Sequence, residues 1–159
     1  MTKPFEGLLI TENKLIDAIE AYFKIRGFIS VKKAKNQDHG IDLELFKSGM
    51  TLYIEAKGSV RNKYDEDISV TAMPRTSVRD NVRKQINKLM EREEDKNYLD
   101  DALYIAAWPE TPMYREQIKR KTKALSRLGY LHFWLQEDLS IKVEGPESSK
   151  EKLRQLCLE

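Results

Sequence analysis

The chain has 159 residues, 40% of them apolar and 34% charged, which suits one domain over residues 1–159 with a core of its own. No apolar run approaches the roughly 18 residues that a membrane span requires, and no secretory leader precedes the first charges, so a cytoplasmic protein is expected. A single cysteine, Cys157, excludes an internal disulfide and a cysteine-based zinc site, and His39 and His132 alone argue against a histidine-ligated zinc. The net charge of +2 does not announce a nucleic-acid binder, but Lys and Arg concentrate at 61–92 and 115–127, and much of the acid at 93–101 and 137–159.

Thr11 can cap a helix that runs to about Arg26, with Gly27 as its stop. Leu15, Ile16, Ile19, Tyr22 and Phe23 form its apolar stripe, and Asn13, Asp17, Glu20 and Lys24 lie opposite. Glu12 falls four, seven and eleven residues before Ile16, Ile19 and Phe23, so it is a first-turn acid on the core side. The helix dipole alone accounts for an acid there. Glu20, on the polar face, reads as solvated. Phe28–Lys33 is expected to form the first strand, with Phe28, Ile29 and Val31 as its apolar content, followed by a polar loop from Ala34 to His39. Two readings of His39 stay open: a phosphate contact or proton carrier, and a structural or solvated side chain.

From His39 to Lys57 the chain reads as a hairpin, with apolar and polar residues alternating on either side of Ser48-Gly49. Ile41, Leu43 and Leu45 share one face of the first strand, and Leu52, Ile54 and Ala56 one face of the second. Asp42, Glu44, Glu55 and Lys57 take the opposite faces. With a two-residue loop, Lys47 pairs with Met50, and counting back sets Asp42 against Glu55 with Cβ atoms about 5 Å apart. Carboxylates so close repel unless a cation lies between them, and oxygen-rich sites of this kind suit Mg²⁺ or Mn²⁺. Gly40, opposite Lys57, leaves room for a metal or a phosphate. The plainer reading is a surface hairpin with a Glu–Lys salt bridge.

Ser59 to Thr71 is polar and basic, with Arg61 and Lys63 ahead of the acidic run Asp65-Glu66-Asp67. It suits a DNA-contacting flap or an ordinary loop excursion, and Ile68, Val70 and Ala72 can make a short strand. Thr76 or Ser77 is expected to cap a second long helix running to about Glu93, with Val78, Val82, Ile86 and Leu89 buried and Gln85 on the same inward side. Arg75, Arg79 and Arg83 recur at four-residue spacing, a row suited to clamping phosphates or to plain solvation. Ala102–Trp108 is almost continuously apolar and reads as a strand buried on both faces. After Pro109 and Pro112, a helix from about Met113 to Leu128 turns Tyr114, Ile118, Thr122, Leu125 and Leu128 inward and Arg115, Lys119, Lys123 and Arg127 outward. Leu131–Leu135 and Ser140–Glu144 read as fifth and sixth strands, with His132 packed or at the surface. The tail from Pro146 forms a short helix with Leu153, Leu156 and Leu158 as docking residues.

Gly40-Ile41-Asp42, a twelve-residue gap and Glu55-Ala56-Lys57 resemble the PD-(D/E)XK nuclease motif in its G-x-D…E-x-K form. Glu-x-Lys also occurs at Glu12-Asn13-Lys14 and Glu94-Asp95-Lys96, so the hairpin, and not the triplet, carries the likeness. Ile41 stands where the fuller motif has a proline. The resemblance implies the restriction-endonuclease-like fold: an α/β three-layer sandwich, a mixed β-sheet flanked by helices in α-β-β-β-α-β-α-β order. It spans about 11–136, with 137–159 as a C-terminal strand and helix extension. It further implies a DNA nuclease using Mg²⁺ or Mn²⁺, held by Asp42, Glu55, the Ala56 carbonyl and a helix-borne acid, for which Glu12 is the candidate. Lys57 would act on the attacking water or the phosphorus, and Gln85 would support the site unless it is a boundary glutamine. Arg61, Lys63, Arg75, Arg79 and Arg83 are the expected DNA contacts, and a homodimer suits double-strand cleavage. The alternative is a non-catalytic nucleic-acid- or protein-binding module.

Overall fold

The computed structural model describes residues 7–34, 41–60, 72–95 and 101–158; the readings of His39, Gly40, Arg61, Lys63, the acidic run at 65–67, Ile68 and Val70 lie outside the described residues. Thr11 accepts from the Lys14 amide at 3.2 Å and opens α1 (Glu12–Lys24), whose Leu15, Ile16, Ile19 and Phe23 are buried. Then come β1 (Ile29–Lys33), β2 (Leu43–Lys47), β3 (Met50–Ala56), α2 (Arg75–Glu94) and β4 (Asp101–Pro109). The chain continues with α3 (Pro112–Lys119), α4 (Thr122–Arg127), β5 (Leu131–Leu135), β6 (Ile141–Glu144) and α5 (Glu147–Leu158).

The six strands form one mixed sheet in the order β1-β2-β3-β4-β5-β6. β3, β4 and β5 run parallel, while β1, β2 and β6 pair antiparallel. Alternation along the central strands feeds two cores. Leu52, Ile54 and Ala56 of β3 and Leu103, Ile105 and Ala107 of β4 pack with α1 and with Leu153 and Leu156 of α5. Tyr53, Tyr104, Ala106 and Trp108 pack with Val78, Val82 and Leu89 of α2, Tyr114 and Ile118 of α3 and Leu125 of α4. The molecule is thus α/β, with helices on both faces of an open sheet.

Several expectations need correction. Ile29 and Val31 are 63% and 62% exposed, because β1 is an edge strand with a register shift between Ser30 and Lys32, and only Phe28 before it turns into the core. Ile41 does not share a face with Leu43 and Leu45: it precedes β2, the chain bends at Asp42, and Ile41 joins the core under α2. Neither Thr76 nor Ser77 caps α2; the N-cap is Pro74, with no side-chain cap bond. The single helix expected over 113–128 is two: Lys121 leaves the helical backbone, with φ −125° and ψ 0°, and the Ile118 carbonyl accepts from the Lys121 amide at 2.9 Å and the Thr122 hydroxyl at 3.1 Å. Thr122 and Leu128 consequently face solvent, as does Leu158 of α5. Arg115 is not part of an outward basic row. It is half-buried, donating to Glu110 at 2.8 Å and Glu144 at 2.7 Å, with its guanidinium 3.9 Å from the Trp134 ring centroid. No helix among the described residues is long and apolar enough to cross a membrane.

Candidate active site

Ser48 and Gly49 both have positive φ, 50° and 81°, the backbone of a two-residue type I′ turn. That turn fixes the β2–β3 register: Lys47 faces Met50, the ladder runs to Leu43 and Ile54, and Asp42 and Glu55 are the next positions. Beyond the ladder the side chains take over. The Asp42 amide donates to Glu55 Oε1 at 3.2 Å, and the Ala56 amide donates to Asp42 Oδ2 at 2.8 Å. Each acid is therefore held by the strand that carries the other.

Glu55 is 0% exposed and, among the described residues, its Oε2 finds no hydrogen-bond partner. Burial raises the Asp42 carboxyl above its ordinary value, and the charge of Glu12 adds to the effect. Burial and then the neighbouring Asp42 push Glu55 up to about 8. The fold thus holds two carboxyls where their charges are unwelcome, with one oxygen lacking a hydrogen bond. Oxygen donors, desolvation and surplus negative charge are what a small hard dication requires, so Asp42 and Glu55 fit Mg²⁺ or Mn²⁺. Among the described residues no group of three or more His, Cys, Asp or Glu side chains is placed to hold a metal. Glu12 lies close enough for its charge to act on Asp42. Its Oε1 lies 3.3 Å from Lys57 Nζ, which it holds at the edge of the site.

A short strap brings Glu12 there. The Ser59 amide donates to the Ile10 carbonyl and the Ile10 amide to Ser59 Oγ, both at 2.9 Å, and Ser59 Oγ donates to Leu8. Tyr114 Oη donates to the Gly58 carbonyl at 2.7 Å from the other side. The end of β3 is thereby tied to the start of α1, and the site lies at the carboxyl end of a parallel strand, where open α/β sheets place their ligands.

Gln85 is fully buried, not a boundary residue. Its Nε2 donates to the carbonyls of Glu55 at 2.6 Å and Ala107 at 3.2 Å, bracing β3 against β4 directly behind the acid pair. Gln85→Leu is expected to lower the free energy of unfolding by about 2 kcal/mol, since it removes two buried hydrogen bonds to the Glu55 and Ala107 carbonyls, the second of which keeps the Lys57 amide. Urea denaturation checks this, and an unchanged midpoint would show that the brace is idle. One turn further along α2, Lys88 Nζ is 3.8 Å from Glu55 Oε2. Among the cations that lower the pKa of Asp42 and of Glu55, Lys88 acts more strongly than Lys57 on both. The sequence reading missed it, although its three-residue offset from inward-facing Gln85 was a usable sign.

Arg75, Arg79 and Arg83 are exposed on α2, and the first two already have acidic neighbours: Glu116 at 3.0 Å from Arg75 and Asp80 at 3.7 Å from Arg79. His132 is a packing residue: it is buried, its Nδ1 accepts from Trp108 Nε1 at 3.1 Å, and burial lowers it to about 4. No protein-family model, curated protein or solved structure matches the chain.

Proposed function

We propose that this protein is a Mg²⁺- or Mn²⁺-dependent DNA endonuclease of the PD-(D/E)XK kind, with a restriction-endonuclease-like fold over about 11–136. The observation that carries the reading is the Asp42–Glu55 pair at the end of the β2–β3 hairpin, Glu55 fully buried and Asp42 partly so, with Lys57 two residues beyond Glu55. The residues that would hold the cation are Asp42, Glu55 and the Ala56 carbonyl. When bound, the metal supplies an acidified water and neutralises charge on the scissile phosphate. The Ala56 amide fixes the rotamer of the Asp42 carboxylate. Glu12, by pairing with Lys57, holds that ammonium where it can orient the attacking water or meet the phosphate. Arg79 and Arg83, exposed on α2, are available to the DNA backbone, as are Arg61 and Lys63 by charge.

The test is cleavage of supercoiled plasmid, linear duplex and single-stranded DNA by wild type, Asp42→Ala and Lys57→Ala, with Mg²⁺, Mn²⁺ or EDTA. Cleavage is expected in wild type with metal and in no sample with EDTA, and both variants should be inactive. If wild type leaves every substrate intact, or Asp42→Ala cuts as fast, the proposal fails. A non-catalytic module would instead bind DNA with no Asp42-dependent metal affinity.

A further inference from the structure

Lys88 poses a question that the acid pair does not answer. Lys88 Nζ forms an ion pair with Glu55 Oε2 at 3.8 Å, but a loose one, beyond hydrogen-bond reach. Its side chain is 41% exposed, while that of Glu55 is 0% exposed. The oxygen that it faces is the one that finds no hydrogen-bond partner among the described residues. Among the described residues Lys88 makes no hydrogen bond, and it offers its charge to the acid pair on a four-carbon stem with room to move outward. Lys57, by contrast, is engaged by Glu12 at 3.3 Å.

We propose that Lys88 is a tethered cation that balances the Asp42–Glu55 pair until a divalent metal enters, and that it is then displaced onto a phosphate of the bound strand. The proposal rests on the metal-dependent reading of that pair. Two cations cannot share the same oxygen at short range: a dication at Glu55 repels the ammonium, and the ammonium in turn weakens the dication. The displaced ammonium has nowhere inward to go, since α2 packs its Gln85 and Leu89 against the sheet. It moves to the solvent side, where a polyanionic strand lying over the site presents its oxygens. Lys88 thus sets both an entry threshold for the metal and a contact for the substrate.

The experiment is calorimetric titration of Mn²⁺ into wild type, Lys88→Met, Lys88→Arg and Asp42→Asn, each also assayed for plasmid cleavage. Lys88→Met is expected to bind Mn²⁺ roughly tenfold more tightly, because a competing charge has gone. It should nevertheless cleave roughly 10²-fold more slowly, because a phosphate contact has gone. Lys88→Arg should return the affinity towards wild type and recover part of the rate. A merely structural lysine would not tighten metal binding when removed. If wild type binds Mn²⁺ in an Asp42-dependent way and Lys88→Met binds it no more tightly, the displacement is wrong and the metal site stands. Tighter binding with an unchanged rate overturns the phosphate contact. If Asp42→Asn binds Mn²⁺ as wild type does, the metal-dependent reading falls and this proposal falls with it.

Discussion

Glu55→Gln is expected to abolish metal-dependent cleavage and, at the same time, to stabilise the protein in EDTA at neutral pH. The loss of activity follows from removing one of two carboxylates from a dication whose contribution is several kcal/mol, about 10³-fold in rate or more. The gain in stability follows from the state of Glu55 itself. Its carboxyl is raised from the ordinary 4.5 to about 8 by burial and by Asp42, so the folded chain keeps a proton that the unfolded chain releases. Stability from this group is complete below about pH 4.5 and is lost as pH rises through about 8. At pH 7 the deficit is about 3 kcal/mol, or about 6–12 °C in melting temperature. An amide carries no such proton, so the variant should melt higher and show a flatter profile between pH 5 and 9. Wild-type stability that rose with pH across that window would contradict the protonated pair. Metal loading reverses the balance: the cation displaces the proton, so apparent affinity should strengthen with pH up to about 8. A site that costs stability until it is filled is what a functional pair looks like.

The hairpin was legible because its signals are local. Alternation with period two, together with a Ser-Gly turn whose residues both take positive φ, leaves one register, and that register brings Asp42 to Glu55. The stripe of α1 and the continuous apolar run of β4 were legible for the same reason. What escaped depends on contacts distant in sequence. Lys88 has only its three-residue offset from Gln85 to mark it in a chain rich in lysine, and its ion pair is with Glu55, thirty-three residues away. The inward course of Ile41 needs the bend at Asp42, which alternation cannot foresee. The break between α3 and α4 has no Gly or Pro to announce it and falls at Lys121, an ordinary helix former. Helical spacing turned Glu12 towards the core side, but its ion pair with Lys57 and its charge acting on Asp42 depend on contacts that spacing does not resolve.

Gly58→Ala is expected to be the most damaging single-methyl change in the site, although Gly58 neither titrates nor binds. A Cβ there would stand 2.6 Å from the Glu12 amide nitrogen, 2.6 Å from the Ile10 carbonyl oxygen and 2.9 Å from the Thr11 carbonyl carbon. All three are backbone atoms, so no side chain can swing aside; the β3 exit and the start of α1 must separate. That strains the Ser59 bonds to Leu8 and Ile10 and the Tyr114 bond to Gly58, for a cost of about 3 kcal/mol, at the upper end of overpacking effects. It also draws Glu12 away from Lys57, and a displacement of about 1 Å in a positioned group costs about 10²-fold in rate. Gly49→Ala is the control. Its Cβ meets nothing within 4 Å, and only its φ of +81° resists, for about 1 kcal/mol. Denaturation and plasmid cleavage on the two variants separate the ideas: Gly49→Ala should be slightly less stable and cut normally once folded. Gly58→Ala should lose rate even under conditions where circular dichroism reports full folding. If it retains wild-type rate there, the strap that joins β3 to α1 does not set the position of Lys57, and the ion pair with Glu12 is incidental to the site.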